Sequence, residues 1–501
     1  MIDREPARAA RASYDLIIVG GGIYGSMLLL ESARRGLRGL LIEKKDFGSG
    51  TSFNSLRIIH GGMRYLQAFD LPRFFESVRE RRWYMQVFPQ LVKPLPCLMP
   101  LYGEGLRRKS VFRLALIVND ALSASRNKGV RRDQKLPAGM IISREDALRR
   151  FPMLDSAGMQ GAAVWYDGCL PDSQRLLIEV LRWSCDLGST ALNYMEGTQL
   201  VRVGDVITGV VARDNVTGQD HEYSVGVVIN AAGPWCNDVV KRFGCDQPNI
   251  FHSLAWNILL DCEPRTEYAV AVTPRRRAAQ TYFVHPWKGM MLAGTGHAPW
   301  HGGADDPAPT REMIDRFLSD LNAALPKLNI GRRNILHIFS GLLPARGPGS
   351  AQLTSRPVFV DHGEQGGPHG IYSVSGIKFT TARAVAHRLL KRIFPRHQPS
   401  DIYKAPRKIR EGKVSYDLNE SPAGDLEWEE RLRGIIEEES VQHLDDLIFR
   451  RTGIGDNPGR AHSVSRRLCS LFNWDQARCE AERDRIGRCI DGIRFDDEVA
   501  F

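Results

Sequence analysis

The sequence predicts an α/β protein, and three observations carry the prediction. Residues 16–19, LIIV, form a short apolar run of the kind a buried strand gives. Glycines at 20, 22 and 25 follow in G-x-G-x-x-G spacing and lead into an apolar helical stretch from about 26 to 35. A second apolar run, 39–42, ends on an acid, Glu43. Strand, glycine turn, helix and strand in this order make one βαβ unit of a parallel sheet.

Each part of that unit has a job. Gly20 allows the tight turn, Gly22 lets backbone approach a pyrophosphate, and Gly25 permits close packing of helix on strand. The helix N-terminus faces the phosphates, and Glu43 takes ribose hydroxyls. A bare glycine fingerprint is weak evidence. The whole unit in register predicts a Rossmann-like dinucleotide site.

Which dinucleotide follows from what comes next. A nicotinamide-binding fold would continue with further βα units, but here the chain runs FGSGTSFNSLRIIHGGMRYLQ, residues 47–67. Thr51, Ser52 and Ser55 suit a long cofactor lying extended. His60, Gly61 and Gly62 then form the floor of a flat ring site, with the paired glycines letting backbone come close. Arg64 and Tyr65 follow, an arginine fork suited to an anion beside an aromatic ring. The cofactor with that shape is FAD.

Bulk properties bound the rest. The chain has 501 residues, 43% hydrophobic and 25% charged, enough for two or three domains. No run approaches about 18 uninterrupted apolar residues, so no membrane span is expected. The first thirteen residues carry arginines without an apolar core, so no secretory signal is read there. The nine cysteines are scattered without a CxxC pair, which suits idle thiols in a reducing cytoplasm and no metal site. The net charge of +10 points to acidic partners. Its clusters, at 107–109, 131–132 and 275–277, lack the interleaved aromatics of a nucleic-acid surface. An anionic substrate or an anionic membrane fits better. The segment 105–122, GLRRKSVFRLALIVNDAL, has a basic start and an apolar body, as interfacial helices do, or else is a core helix with a solvated end.

Further landmarks support a flavin site. VGVVINAAGPW, 225–235, is a strand ending in small residues, where Ala232 and Gly233 let backbone pass close to the cofactor. GIYSVSGIKFTTARAVAHRLLKRI, 370–393, is a strand, a turn at Gly376, and a helix that Thr380 or Thr381 can cap.

Together, TSFNSLRIIHGGMRYL, WYDGCLPDSQRL, VINAAGPWCNDVV, FVHPWKGMMLAGTG and SVSGIKFTTAR resemble the FAD-dependent glycerol-3-phosphate dehydrogenases of the D-amino-acid-oxidase-like flavoproteins. The resemblance covers nearly the whole chain. It implies a discontinuous FAD-binding domain from 1–95, 150–240 and 340–398. It also implies an antiparallel-sheet substrate domain from 96–149 and 241–339, and, after a Pro- and charge-rich linker, a C-terminal helical cap over 415–501. The fold class is therefore α/β, α+β overall. The implied chemistry takes hydride from a small hydroxy substrate to flavin N5, with electrons passing onward to quinone or another acceptor. The helix start near Thr380 would face the flavin pyrimidine edge, its dipole stabilising the reduced ring.

Arg64, Arg356 and Lys378 match the family's anion-holding residues. Three positions depart. The family's Gly-Val-Arg-Pro reads GLLP here, putting Leu343 where an arginine is expected, with Arg346 the nearest replacement. A family histidine proposed as base aligns with Asn257, and His252 lies nearby. The family's GTTD reads GTGH, putting His297 in place of an acid. Two alternatives stand beside the dehydrogenase: the same scaffold retuned to another hydroxy or amino substrate, and a flavin-binding protein without catalysis. A cytoplasmic enzyme, peripheral on the inner membrane face and paired as a homodimer, completes the expectation.

Overall fold

The computed structural model describes residues 1–103, 105, 108–246, 248–276, 279–400 and 426–491. The linker beyond 400, the start of the cap near 415, Arg107 and Arg277 lie outside the described residues.

The βαβ unit forms as read. Leu16–Val19 and Gly39–Ile42 pair in parallel, Ile17 beside Leu40 and Val19 beside Ile42, and every residue of both strands is buried. A strand covered on both faces has no polar side to show, which is why both read as unbroken apolar runs. The helix runs Ile23–Ala33 and starts three residues earlier than expected. Gly22 caps it in extended backbone, so Gly25 falls inside the first turn instead of before it.

Around this unit lies a six-stranded sheet in the order Val358–Asp361, Ile371–Ser375, Val228–Asn230, Leu16–Val19, Gly39–Ile42 and Thr190–Leu192, parallel except at the Val358–Asp361 edge. Helices Ser173–Asp186 and Ala382–Ile393 pack against Ile23–Ala33 on one face. A three-stranded antiparallel sheet, Met195–Val203, Val206–Asp214 and Asp220–Ser224, shares a core with the other face.

A nine-stranded, mostly antiparallel sheet forms the second body. The strands Lys93–Leu101, Ala269–Val272, Tyr282–Trp287, Met290–Pro299, His252–Leu260 and Ile335–Pro344 lie side by side in that order. Gly161–Cys169 pairs with Lys93–Leu101 on the other side, and Met140–Ile142 and Ile58–Ile59 pair with it in turn. This corrects the expected boundaries. The stretch 161–169, assigned from sequence to the cofactor domain, belongs to the nine-stranded sheet, which also takes in 58–59 and continues to Pro344. The cause is that Gly161–Cys169 is buried along most of its length, so it lacks the alternation that marks a half-exposed antiparallel strand.

The described part of the cap consists of helices Leu426–Glu438, Pro458–Cys469 and Gln476–Asp491 and a π-turn at Asp446–Arg451, around a core of Trp428, Leu432, Leu444, Leu447, Leu468 and Ile486. It is riveted by buried charge to the loop after Gly39–Ile42 and to the helix Ser173–Asp186. Arg451 forks onto both oxygens of Asp46 at 2.8 Å, and Arg450 Nε donates to the same carboxylate at 2.6 Å. Arg175 forks onto Glu439 at 2.8 and 2.7 Å. No helix among the described residues is long and apolar enough to cross a membrane.

Candidate active site

A cavity of about 1060 Å³ runs from the end of the first strand to the start of the Ala382–Ile393 helix. At one end Gly20 has φ +109°, and a Cβ there would sit 2.7 Å from Ala231 O. Gly25 carries no side chain because a Cβ would collide with Gly20 O. Gly22 lines the cavity, and the Ile23 N–H donates to Ser52 Oγ at 2.9 Å, fixing the polar loop across the helix N-terminus. The first amides of any helix lack intrahelical partners, so this end is built for phosphate.

Glu43 lines the same end. Its Oε2 accepts from Gly21 N at 2.6 Å and its Oε1 from Lys45 N at 2.9 Å. Burial raises its carboxyl pKa above the usual value against the pull of those two amides. Thr51, Ser52, Ser55, Ala232 and Gly233 also line the cavity. Thr51 Oγ1 donates to Leu342 O at 3.2 Å, joining the loop to the nine-stranded sheet.

The far end holds His60, Gly62, Arg64, Tyr65, Gly376, Lys378 and Thr380. Here the structure corrects one expected role. Gly61 does not line the cavity; a Cβ there would collide with the guanidinium of Arg81, and the Gly61 N–H donates to Asp167 Oδ1. Its missing side chain makes room for an arginine that bonds Asp167 at 2.7 Å, and not for a ring. Gly62, at φ +86°, caps the short helix Met63–Gln67 and reaches the cavity rim. Thr380 is not a helix cap either: its Oγ1 accepts from His60 N at 3.3 Å, and Thr381 makes no capping hydrogen bond.

Tyr24 escaped the sequence reading. Its ring fills the space that a side chain at Gly376 would need, and its hydroxyl donates to Lys378 O at 3.0 Å while accepting from Lys378 N at 3.2 Å. The glycine turn and Lys378 thus hold one another in place through a contact that spans 354 residues.

A second cavity of about 1270 Å³ adjoins the first, and Arg64, Tyr65, His297, Gln280, Gln352 and Lys378 line both. Lys378 Nζ lies 4.1 Å from the Tyr65 ring centroid. Burial and the nearby Arg64 charge bring the lysine down to about 8, poised to gain from an anion. Arg356 and Arg346 line only the outer cavity, and Leu343 only the inner. Asn257 lines the inner cavity with its amide already engaged: Nδ2 donates to Asn54 O and Oδ1 accepts from Thr295 Oγ1, each at 2.8 Å. An amide so held has no basicity to offer. His252 lines neither cavity. Of the residues expected to carry catalysis, the structure brings together Arg64, Tyr65, Lys378 and Asn257. It places Arg356 one chamber outward and leaves His252 apart.

Residues 15–392 match the family described as FAD dependent oxidoreductase. The chain belongs to that family. Among curated relatives of this FAD-dependent oxidoreductase, the glycerol-3-phosphate dehydrogenase of Synechocystis is 29% identical over 459 residues, 88% of this chain and 80% of that one. The human mitochondrial glycerol-3-phosphate dehydrogenase is 30% identical, covering 77% of this chain and 54% of its own. The α-glycerophosphate oxidase of Lactococcus lactis is 31% identical, covering 67% and 55%. The chain thus spans about half the length of the latter two. The solved glycerol-3-phosphate dehydrogenase of Bacillus halodurans, complexed with FAD, superposes with a TM-score of 0.74 at 18% identity, covering 99% of this chain and 98% of that one, and shares the fold. The residues present fit FAD: a cavity of about 1060 Å³, small residues at the phosphate end, an acid beyond the turn, and a sealed, unpartnered Nε2 on His60 at the ring end.

Proposed function

We propose that this FAD-dependent oxidoreductase oxidises a small anionic hydroxy compound, glycerol 3-phosphate or a relative, and passes the electrons to a quinone or another acceptor. The observation that carries the reading is the junction of the two cavities, where Arg64 and Lys378 converge at the end of the inner chamber. Bound FAD supplies the hydride acceptor. Arg64 and Lys378 hold the substrate anion, and the Tyr65 ring beneath the Lys378 ammonium fixes its direction. Arg356 offers a further cation in the outer chamber.

Leu343 favours a second reading, a less charged hydroxy or amino substrate on the same scaffold. It faces the inner cavity where the family pattern has an arginine. A desolvated bidentate contact is worth a few kcal/mol, so its absence should raise the apparent KM for glycerol 3-phosphate roughly 100-fold. Leu343→Arg is expected to lower that KM by a similar factor and to harm any less charged native substrate. Micromolar KM and fast turnover in the wild type would refute the weakened pocket.

We further infer a cytoplasmic enzyme working against an anionic membrane face. On the helix Lys109–Leu122, Phe112 and Leu116 are buried while Leu114 and Ile117 are 62% and 60% exposed, with Val111 and Val118 exposed beside them and Arg108 at the N-cap. An apolar face left in water at a basic helix start suits an interfacial helix. The protein is expected to float with phosphatidylglycerol vesicles at low salt, and Leu114→Asp with Ile117→Asp to abolish flotation. A wild type that stays at the bottom of the gradient would end this reading.

A further inference from the structure

The proposed oxidation needs a group to take the hydroxyl proton, and the family's expected position offers only an engaged amide, Asn257. The carboxylates near the junction are also committed. Asp167 is held by Arg81 and by Trp165 Nε1. In the outer cavity Asp70 is paired with Arg73 and Glu76 with Arg388. Among the described residues, one histidine lines both cavities, and neither of its nitrogens is bonded. His297 sits on the strand Met290–Pro299, opposite Ala255, and lines both cavities. Its Nδ1 is sealed from solvent without a partner, whereas its Nε2 is unpartnered and not sealed, and so opens to the chamber.

Resting on the reading of a hydroxy substrate, we propose that Nε2 of His297 accepts the substrate hydroxyl proton. The C–H bond breaks with its electron pair passing to FAD, the O–H proton passes to Nε2, and a carbonyl forms. The imidazolium then returns the proton to water in the outer cavity. Of the charged groups lining the two cavities, Arg64 is the one whose charge acts on the ring; Lys378 lines both cavities with it, and the outer cavity adds Arg346, Arg356, Arg79 and Arg392 and the pairs Asp70–Arg73 and Glu76–Arg388. Burial and then the Arg64 charge hold the ring down at about 4, a poor base. An anion seated on Arg64 cancels that charge, so the substrate's own anionic group raises the basicity of the histidine that deprotonates it.

The test uses the FAD-loaded full chain. His297→Gln is expected to slow anaerobic flavin reduction by about 100-fold or more, to change KM little, and to remove the fall in rate at acid pH that a base must show. His301→Gln, at a histidine that lines neither cavity, should keep that acid limb. In the unreacted protein, the His297 ring resonances, assigned by their loss in His297→Gln, should titrate at a higher pH when inorganic phosphate is added. Reduction of His297→Gln at near wild-type rate with the acid limb intact, or a His297 titration that phosphate does not move, overturns this proposal and leaves the oxidation standing. A wild type that dithionite reduces but no alcohol does overturns both.

Discussion

Gly22→Val is expected to yield folded but colourless protein. Gly22 has φ −73° and ψ −177°, extended backbone that a β-branched residue adopts without strain. Its Cβ would lie 3.1 Å from Ser52 Oγ, a contact that a small shift relieves. The valine methyls, however, would stand before the helix N-terminus where the pyrophosphate must approach. The loss should be at least about 1000-fold in FAD affinity, some 4 kcal/mol. The absorbance of the purified variant, its reconstitution with added FAD and an unchanged circular dichroism spectrum check this together. The choice of glycine matters, since a side chain at Gly25 would collide with Gly20 O and disrupt the fold itself. Yellow Gly22→Val protein with full FAD content would contradict the placement of the phosphates.

Asp46→Ala should destabilise the chain by about 3–5 kcal/mol, because it leaves Arg450 and Arg451 buried with their shared acceptor gone. Asn193 would lose an acceptor at 2.8 Å as well. The sign of the pH dependence follows. Burial alone would raise the Asp46 carboxyl, but Arg451 and then Arg450 hold it well below its ordinary 3.8. A carboxyl depressed in the folded state contributes stability above that ordinary value and loses it as pH falls below. Urea unfolding should show a lower midpoint at neutral pH, and the gap between wild type and variant should narrow in acid. An unchanged midpoint would mean that the Asp46 pairs add nothing net to the stability of the cap.

Local contacts made part of this structure legible. Leu16 to Glu43 is one continuous unit in which Gly25 answers Gly20 five residues before it, and its strands fall where periodicity puts them, while its helix starts three residues early. The fold class, α/β with a mixed second sheet, follows from that unit and the later landmarks. What stayed hidden depends on distant partners. Nothing within 57–67 says that Gly61 accommodates Arg81, or that the carboxylate accepting its N–H sits at position 167. Tyr24 meets Gly376 and Lys378 only after the chain has folded back. Gly161–Cys169 hid its sheet because burial on both faces erased its alternation. His297 was visible as a departure from the family pattern, but its unpartnered ring between two cavities was not.

The most direct measurement of the central claim is anaerobic mixing of the purified yellow protein with glycerol 3-phosphate and with a panel of small alcohols and amines, following loss of the flavin absorbance. The account predicts bleaching by an anionic hydroxy compound, with a rate that saturates in substrate and falls when Arg64 or Lys378 is replaced by alanine. Flavin that dithionite bleaches but no hydroxy compound reduces, or bleaching that is indifferent to both substitutions, would contradict it.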